Sequence, residues 1–256
     1  MKNKFETPNN IGQAILSNLV GRAKIIQRNL SAKVILKNDF KDISDIKTIA
    51  GCYVSYLPNF CVQERGSKNN MQKRNSKNEN NFFAATAAVV VLDIETLRIV
   101  EKIKIKYRKK IAFPYIPDYL SFREGPALIE VIKKLQNKPD VFLFDGQGIA
   151  HPRWIGIASH LGVLLDKPSI GCAKSCLYGD YEEPPPALKG AHTFLKDDAG
   201  NLIGIVMRSK KYTKPIFISQ GHKIDLVTAS DIVFKCLAKY RIPEPLRLAH
   251  IEANKN

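Results

Sequence analysis

The chain of 256 residues carries 40 Lys and Arg against 24 Asp and Glu, a net charge of +16, and 45% of its residues are hydrophobic. That length and apolar content suffice for a sizeable core, which excludes whole-chain disorder; the longest apolar run, Phe82 to Leu92, is too short for a membrane span, and no apolar signal core follows the first residues, so a cytoplasmic protein is expected. The positive excess calls for an anionic partner, and nucleic acid, an anionic membrane and an acidic protein all qualify on charge alone.

Between Asn10 and Leu30 the apolar residues Ile11, Ile15, Leu16, Leu19, Ala23, Ile26 and Leu30 recur at helical spacing and predict an amphipathic scaffold helix. Thr48 to Tyr56 is rich in β-branched and aromatic residues and predicts a strand, with a second at Ala84 to Leu92 as its neighbour. Between them, Glu64 to Asn81 has almost nothing to bury, so a flexible Asn/Lys-rich insertion is expected at 62–81, inert rather than nucleic-acid-binding. Lys102, Lys104 and Lys106 alternate with Ile103, Ile105 and Tyr107, the period of a strand with one cationic face, read here as a solvated face.

After Pro117 helices and strands alternate. Ala127, Leu128, Val131, Ile132 and Leu135 form a helical stripe that Pro139 closes, ahead of a buried strand from Val141 to Phe144. A helix from Ile155 to Leu165, a short strand from Ser169 to Cys172, and a strand pair at Leu202 to Met207 and Pro215 to Ser219 follow. A last helix is predicted from Asp225 to about Tyr240. No repeat or linker interrupts the pattern, which predicts one α/β domain over 1–256, a mixed central sheet flanked by helices.

Asp145 ends a hydrophobic strand and is followed by Gly146-Gln147-Gly148-Ile149-Ala150-His151-Pro152-Arg153. A carboxylate at the carboxyl end of a buried strand, beside glycines that let backbone approach, suits a functional site, although an ordinary strand-to-turn Asp reads the same way. Upstream, Pro114-Tyr115-Ile116-Pro117 stiffens an aromatic loop, so that Tyr115 could be held outward as a wedge for a base stack or simply pack in the core. Glu124 lies where the next helix begins and suits either dipole stabilisation or a metal. Lys174 follows a strand and His222 precedes the last helix; with the carboxylates they could converge on a phosphodiester. His160 and His192 have no such context. The five cysteines, Cys52, Cys61, Cys172, Cys176 and Cys236, contain no CxxC pair, which argues against disulfides and zinc.

These motifs together resemble the endonuclease V family. The resemblance runs from about Pro8 to Ile251, apart from the insertion. It rests on Pro114-Tyr115-Ile116-Pro117, Ser121-Phe122-Arg123-Glu124, the stretch from Asp145 to Arg153, Ile170-Gly171-Cys172-Ala173-Lys174-Ser175, Gly221-His222 and Arg241-Ile242-Pro243-Glu244-Pro245. It implies a ribonuclease H-like fold and a Mg²⁺-dependent nuclease, with Mn²⁺ as a substitute, that cuts the second phosphodiester on the 3′ side of deoxyinosine in DNA repair. Asp145 and Glu124 would hold metal, His222 would sit beside them and Lys174 would face the phosphate. Pro114, Tyr115, Ile116 and Pro117 would form the strand-separating wedge, with Arg123 on nucleic acid and Gly146, Gly148 and His151 around the extruded base. A monomer acting on inosine-containing DNA, or on RNA or single strands, is the expected state.

One departure stands out. Where the family has Asp in a segment resembling Ala-Gly-Val-Asp-Val-Ser-Tyr, this chain reads Ala50-Gly51-Cys52-Tyr53-Val54-Ser55-Tyr56. A neutral phenol is a poor Mg²⁺ ligand, so impaired catalysis, or a catalytically silent binder of the same fold, is expected. Asp93, Glu95 and Asp225 are the acids considered as substitutes.

Overall fold

The amphipathic first segment folds as α1 (Pro8–Ser31), and the two strands after it are β1 (Thr48–Tyr56) and β2 (Ala85–Asp93). They run antiparallel to each other and β2 to β3 (Ile99–Tyr107), in a computed structural model that describes residues 8–56, 85–108 and 113–255. The expected insertion at 62–81 lies outside the described residues, as does Cys61. The other four cysteines are free thiols.

The alternating half contributes α2 (Leu120–Ile132), β4 (Val141–Phe144), α3 (Ile157–Leu165) and β5 (Ser169–Ala173). It continues with β6 (His192–Lys196), β7 (Leu202–Met207), β8 (Ile216–His222), α4 (Leu226–Lys235) and α5 (Glu244–Asn254). All eight strands join one sheet in the order β3-β2-β1-β4-β5-β8-β7-β6. The β1–β4 and β4–β5 pairs are parallel and the rest antiparallel, which gives the expected mixed sheet. Helices cover both faces. Ile49, Leu143, Ile170 and Ile218 pack with Ile232, Leu246 and Ala249 on the α4/α5 side, and Val89, Phe142 and Phe144 with Leu128, Val131 and Leu161 on the α2/α3 side. Central β4 is therefore apolar throughout, without the alternation of a half-wet strand.

Four elements differ from the sequence reading: α4 stops at Lys235, short of the predicted Tyr240, and the other three differ each for a local reason. Helix α2 begins at Leu120, about two turns before the predicted stripe, because Ser121 and Arg123 face inward along with the apolar residues. Strand β6 is a sheet edge on which only Leu195 is buried, so no alternation marked it, and His192 is its first residue. Helix α5 was not predicted; Pro243 and Pro245 flank its first residue, a position where a missing N–H costs nothing.

Register is set early. The Asp140 carboxylate accepts from the backbone N–H of Lys47 and Thr48 and from the Thr48 hydroxyl, each at 2.9 Å, which ties the start of β1 to the start of β4. From there Ile49 pairs with Val141 and Cys52 with Phe144, so the next residues, Tyr53 and Asp145, arrive side by side. Gly51 lets α5 lie directly on β1, since a Cβ there would stand 2.0 Å from the Pro245 carbonyl oxygen. No helix among the described residues is long and apolar enough to cross a membrane.

Candidate active site and base cavity

Parallel strands end together, and this sheet puts its polar residues at that edge. Asp145 leaves β4 and Lys174 leaves β5, and the Lys174 ammonium donates to Asp145 Oδ2 at 2.5 Å. Glu124 reaches the same corner from α2. Its carboxyl is pushed up to about 8, first by burial and then by the Asp145 charge, with Arg123 and Lys174 opposing. It is therefore protonated at neutral pH. Burial lowers the Lys174 pKa, but the ion pair with Asp145 outweighs it and the net shift is upward.

Tyr53 completes the corner. Its ring centroid lies 5.3 Å from the Lys174 ammonium, and the ring meets that of His250 edge-on at 4.6 Å. Burial raises its phenol pKa; Lys174 lowers it, and Asp145 and Glu124 raise it further, so the group is neutral. His250, exposed on α5, is a site residue that the sequence reading missed. Its signal was the 3.6-residue recurrence of Leu246, Ala249 and Ala253 after Pro-Glu-Pro, which builds a helix with His250 one step off its buried face.

Beside the corner lies a cavity of about 230 Å³, bounded by Tyr115, Ile116, Pro117, Gly146, Gln147 and His151 among others. Gly146 and Gln147 continue from Asp145, and Ala173 and Ser175, which flank Lys174, form another wall. Cavity and charged corner thus share two loops. The space suits one planar ring system rather than a drug-sized ligand. Tyr115 stands at its mouth with 72% of its surface exposed, so the prolines hold the ring outward. Pro114 beside it is exposed.

Three expected site residues, His222, Arg123 and Gly148, are placed differently, and a fourth, His151, lies where expected with its ring nitrogens already engaged. His222 ends β8 opposite Ser169, at the start of β5, five residues before Lys174; at about 3.3 Å per residue this is about 16 Å along β5 from Lys174, at the other end of the strand from the charged corner. Its Nδ1 accepts from the Ile35 N–H at 3.2 Å, and its Nε2 faces Asp166 Oδ1 at 3.6 Å, so it braces the far end of the sheet. Arg123 is buried: its guanidinium donates to the Phe113 carbonyl at 3.1 Å and lies 4.5 Å over the Tyr56 ring, out of reach of nucleic acid. Gly148 is a packing glycine and does not bound the cavity; a Cβ there would stand 2.1 Å from the Gln220 carbonyl oxygen. His151 does bound the cavity, but both ring nitrogens are engaged elsewhere. Nδ1 accepts from the Arg153 N–H at 3.1 Å, which makes Nε2 the protonated nitrogen that donates to the Asp118 carbonyl at 2.9 Å.

The substitute acids do not reach the corner either. Asp93 caps its own turn, Glu95 pairs with Lys235, and Asp225 caps α4. Among the described residues no group of three His, Cys, Asp or Glu side chains could hold a metal ion.

The family model described as Endonuclease V matches residues 71–251. This chain belongs to the endonuclease V family. An endonuclease V from Dictyoglomus turgidum is 42% identical over 230 residues, covering 90% of this chain and 87% of that protein. The crystal structure of endonuclease V from Streptomyces avermitilis is similar with a TM-score of 0.74 at 33% identity, covering 91% of this chain and 90% of that one. That of Ciona intestinalis endonuclease V in complex with a 23mer DNA containing an inosine followed by a ribo-adenosine is similar with a TM-score of 0.73 at 27% identity, covering 92% and 95%. The family's ribonuclease H-like sheet is the one described above.

Proposed function

We propose that this chain is an inosine-directed endonuclease of DNA repair whose recognition half is complete and whose hydrolytic half is weakened by Tyr53. The observation that carries the reading is the convergence, at one sheet edge, of a base-sized cavity, an outward aromatic at its mouth and the Asp145–Lys174 pair with Glu124. A solved relative, the Ciona intestinalis enzyme, carries an inosine-containing DNA. In this reading the extruded base enters the cavity and Tyr115 fills the gap left in the stack; a mismatched base costs only a few kcal/mol to extrude, so weak pairing of inosine favours its selection. Lys174 then lies beside the cavity, where a cation neutralises phosphate charge, and the +16 excess supplies salt-sensitive affinity for the strand.

Phosphodiester hydrolysis in such sites draws on divalent cations, Mg²⁺ or Mn²⁺, that stabilise the attacking and leaving oxygens. The donor set here does not fit a two-metal centre. Two carboxylates are present, one protonated and one held by Lys174, and the third place is a neutral phenol. A silent binder of inosine-containing DNA or RNA is the second reading, favoured by this same deficit.

The test is a cleavage and binding assay on an inosine-bearing oligonucleotide, as DNA and as RNA, with Mg²⁺ or Mn²⁺. Wild type is expected to bind the inosine strand in preference to an adenine control and to cut it slowly, with Asp145→Ala abolishing cleavage. Tyr53→Asp should raise the rate by about tenfold or more, the scale of one well-placed transition-state interaction. Equal rates for Tyr53→Asp and a measurable wild-type baseline would refute the role given to Tyr53, and equal affinity for inosine and adenine would refute the recognition half.

A further inference from the structure

The loop that carries Tyr115 is held by residues to which the sequence motifs give no such task. Its C-terminal part, Ile116-Pro117-Asp118-Tyr119, is a tight turn in which the Tyr119 N–H donates to the Ile116 carbonyl at 3.1 Å. Proline at its second position and a positive φ of 71° at Asp118 are the signature of a type II turn. That third position favours glycine, and a side chain there is strained unless the surroundings hold it.

Three donors converge on the Asp118 carbonyl oxygen. Gln27 Nε2 reaches it from α1 at 2.7 Å, His151 Nε2 from the loop after β4 at 2.9 Å, and Arg153 Nη2 at 3.3 Å. The donors are themselves linked: Gln27 Oε1 accepts from Arg153 Nε at 2.6 Å, and the Arg153 N–H donates to His151 Nδ1. Gln27 and His151 are 0% and 1% exposed, so this is an interior network rather than a surface coincidence. Arg153 also lies 4.7 Å over the Tyr119 ring, which stacks on Phe113 at 5.7 Å. The segment is therefore fixed at Phe113 and at Asp118–Tyr119, and Tyr115 between them stays outward.

We infer that Gln27, His151 and Arg153 are positioning residues that clamp the Asp118 carbonyl and so hold Tyr115 in the attitude a strand-separating wedge requires. The inference rests on the wedge role given to Tyr115 in the proposed function. It gives α1 a task beyond packing, since Gln27, alone among the described side chains of that helix, joins the network. A rigid wedge matters only where a base pair must be opened, so the clamp acts on duplex substrates and is silent on an inosine strand that is already single.

The experiment measures affinity for an inosine-containing duplex and for the same inosine strand alone, by anisotropy with EDTA present so that nothing is cut. Gln27→Met, nearly isosteric and unable to bond, should lower duplex affinity by about tenfold, the scale of one lost buried hydrogen bond, and leave single-strand affinity within about twofold. Tyr115→Ala should lower the duplex-to-single-strand ratio similarly. Asp118→Asn keeps the carbonyl and suits the left-handed backbone, so it should behave as wild type. Arg153→Met removes the same anchor from the other side and decides the matter should Gln27→Met not fold. A wild-type ratio in both clamp variants, beside a lowered ratio in Tyr115→Ala, overturns the clamp alone. An unchanged ratio in Tyr115→Ala overturns the wedge and the clamp together.

Discussion

Glu124→Gln isolates the electrostatic state of the carboxylate corner. In the unfolded chain this carboxyl titrates near its ordinary 4.5, and in the fold near 8. Between those values the native state holds a proton that the unfolded state has lost, so stability falls as pH rises, by about 1.4 kcal/mol per unit. Across the 3.5-unit window the loss is about 5 kcal/mol. His151 and His160 act in the opposite sense, because burial lowers each from 6.5 to about 4, and stability contributed by their neutral forms is lost as pH falls below 6.5. The informative quantity is therefore the difference between wild type and Glu124→Gln over pH 6.5 to 8, in which the histidine contributions cancel. Wild type should lose about 2 kcal/mol relative to Glu124→Gln, which has no carboxyl to ionise there. Urea unfolding in EDTA at several pH values measures both slopes. Parallel curves for wild type and variant would show that Glu124 ionises normally and would refute the buried, charge-opposed carboxyl described above.

Three other outcomes follow from the same geometry. Tyr53→Asp should make thermal stability respond to millimolar Mg²⁺, since a third carboxylate creates a binder of the native state alone, whereas wild type should show a much smaller rise in Tm. Lys174→Met should lower any cleavage while leaving the preference for inosine over adenine intact, because the lysine touches Asp145 rather than the cavity; equal loss of preference in a competition assay would contradict that division. Gly51→Ala should cost roughly 3 kcal/mol or prevent folding, because its methyl would overlap the Pro245 carbonyl and drive α5 off β1, which urea midpoints would detect.

Much of this was legible in the chain because burial leaves a period in the sequence. The strand from Thr48 to Tyr56, the apolar Val141 to Phe144 and the pair that became β7 and β8 were readable from side-chain alternation or continuous apolarity. Asp145 and Lys174 were readable because each directly follows such a strand, and parallel neighbours deliver their last residues to one edge. His222 was misplaced for the complementary reason: β8 runs antiparallel to β5, so the residue after its apolar run emerges at the wrong end. His250 left only an indirect trace and Gln27 none, because their significance is tertiary. One lies on a helix whose prolines resemble a terminator, and the other is a single polar residue in an amphipathic helix, 91 residues from the carbonyl it bonds.

The charge balance of the corner shows what the tyrosine changes. With burial pushing the Glu124 carboxyl upward and Asp145 bonded to the Lys174 ammonium, the corner's own residues balance much of its charge. A third carboxylate in place of the phenol would leave an excess of negative charge beside a buried acid, the kind of repulsion that sites accept because a metal relieves it. The aromatic ring instead packs on His250 and faces the lysine, converting an electrostatic liability into ordinary contact. The cavity and the network around Asp118 share no side chain with Tyr53, so that conversion need not disturb how a base is admitted. In the proposed function, recognition and hydrolysis are then separable by one substitution: Tyr53→Asp should change turnover and metal response while leaving the preference for inosine, assigned to the loop from Phe113 to Tyr119 and the space behind it, as in wild type.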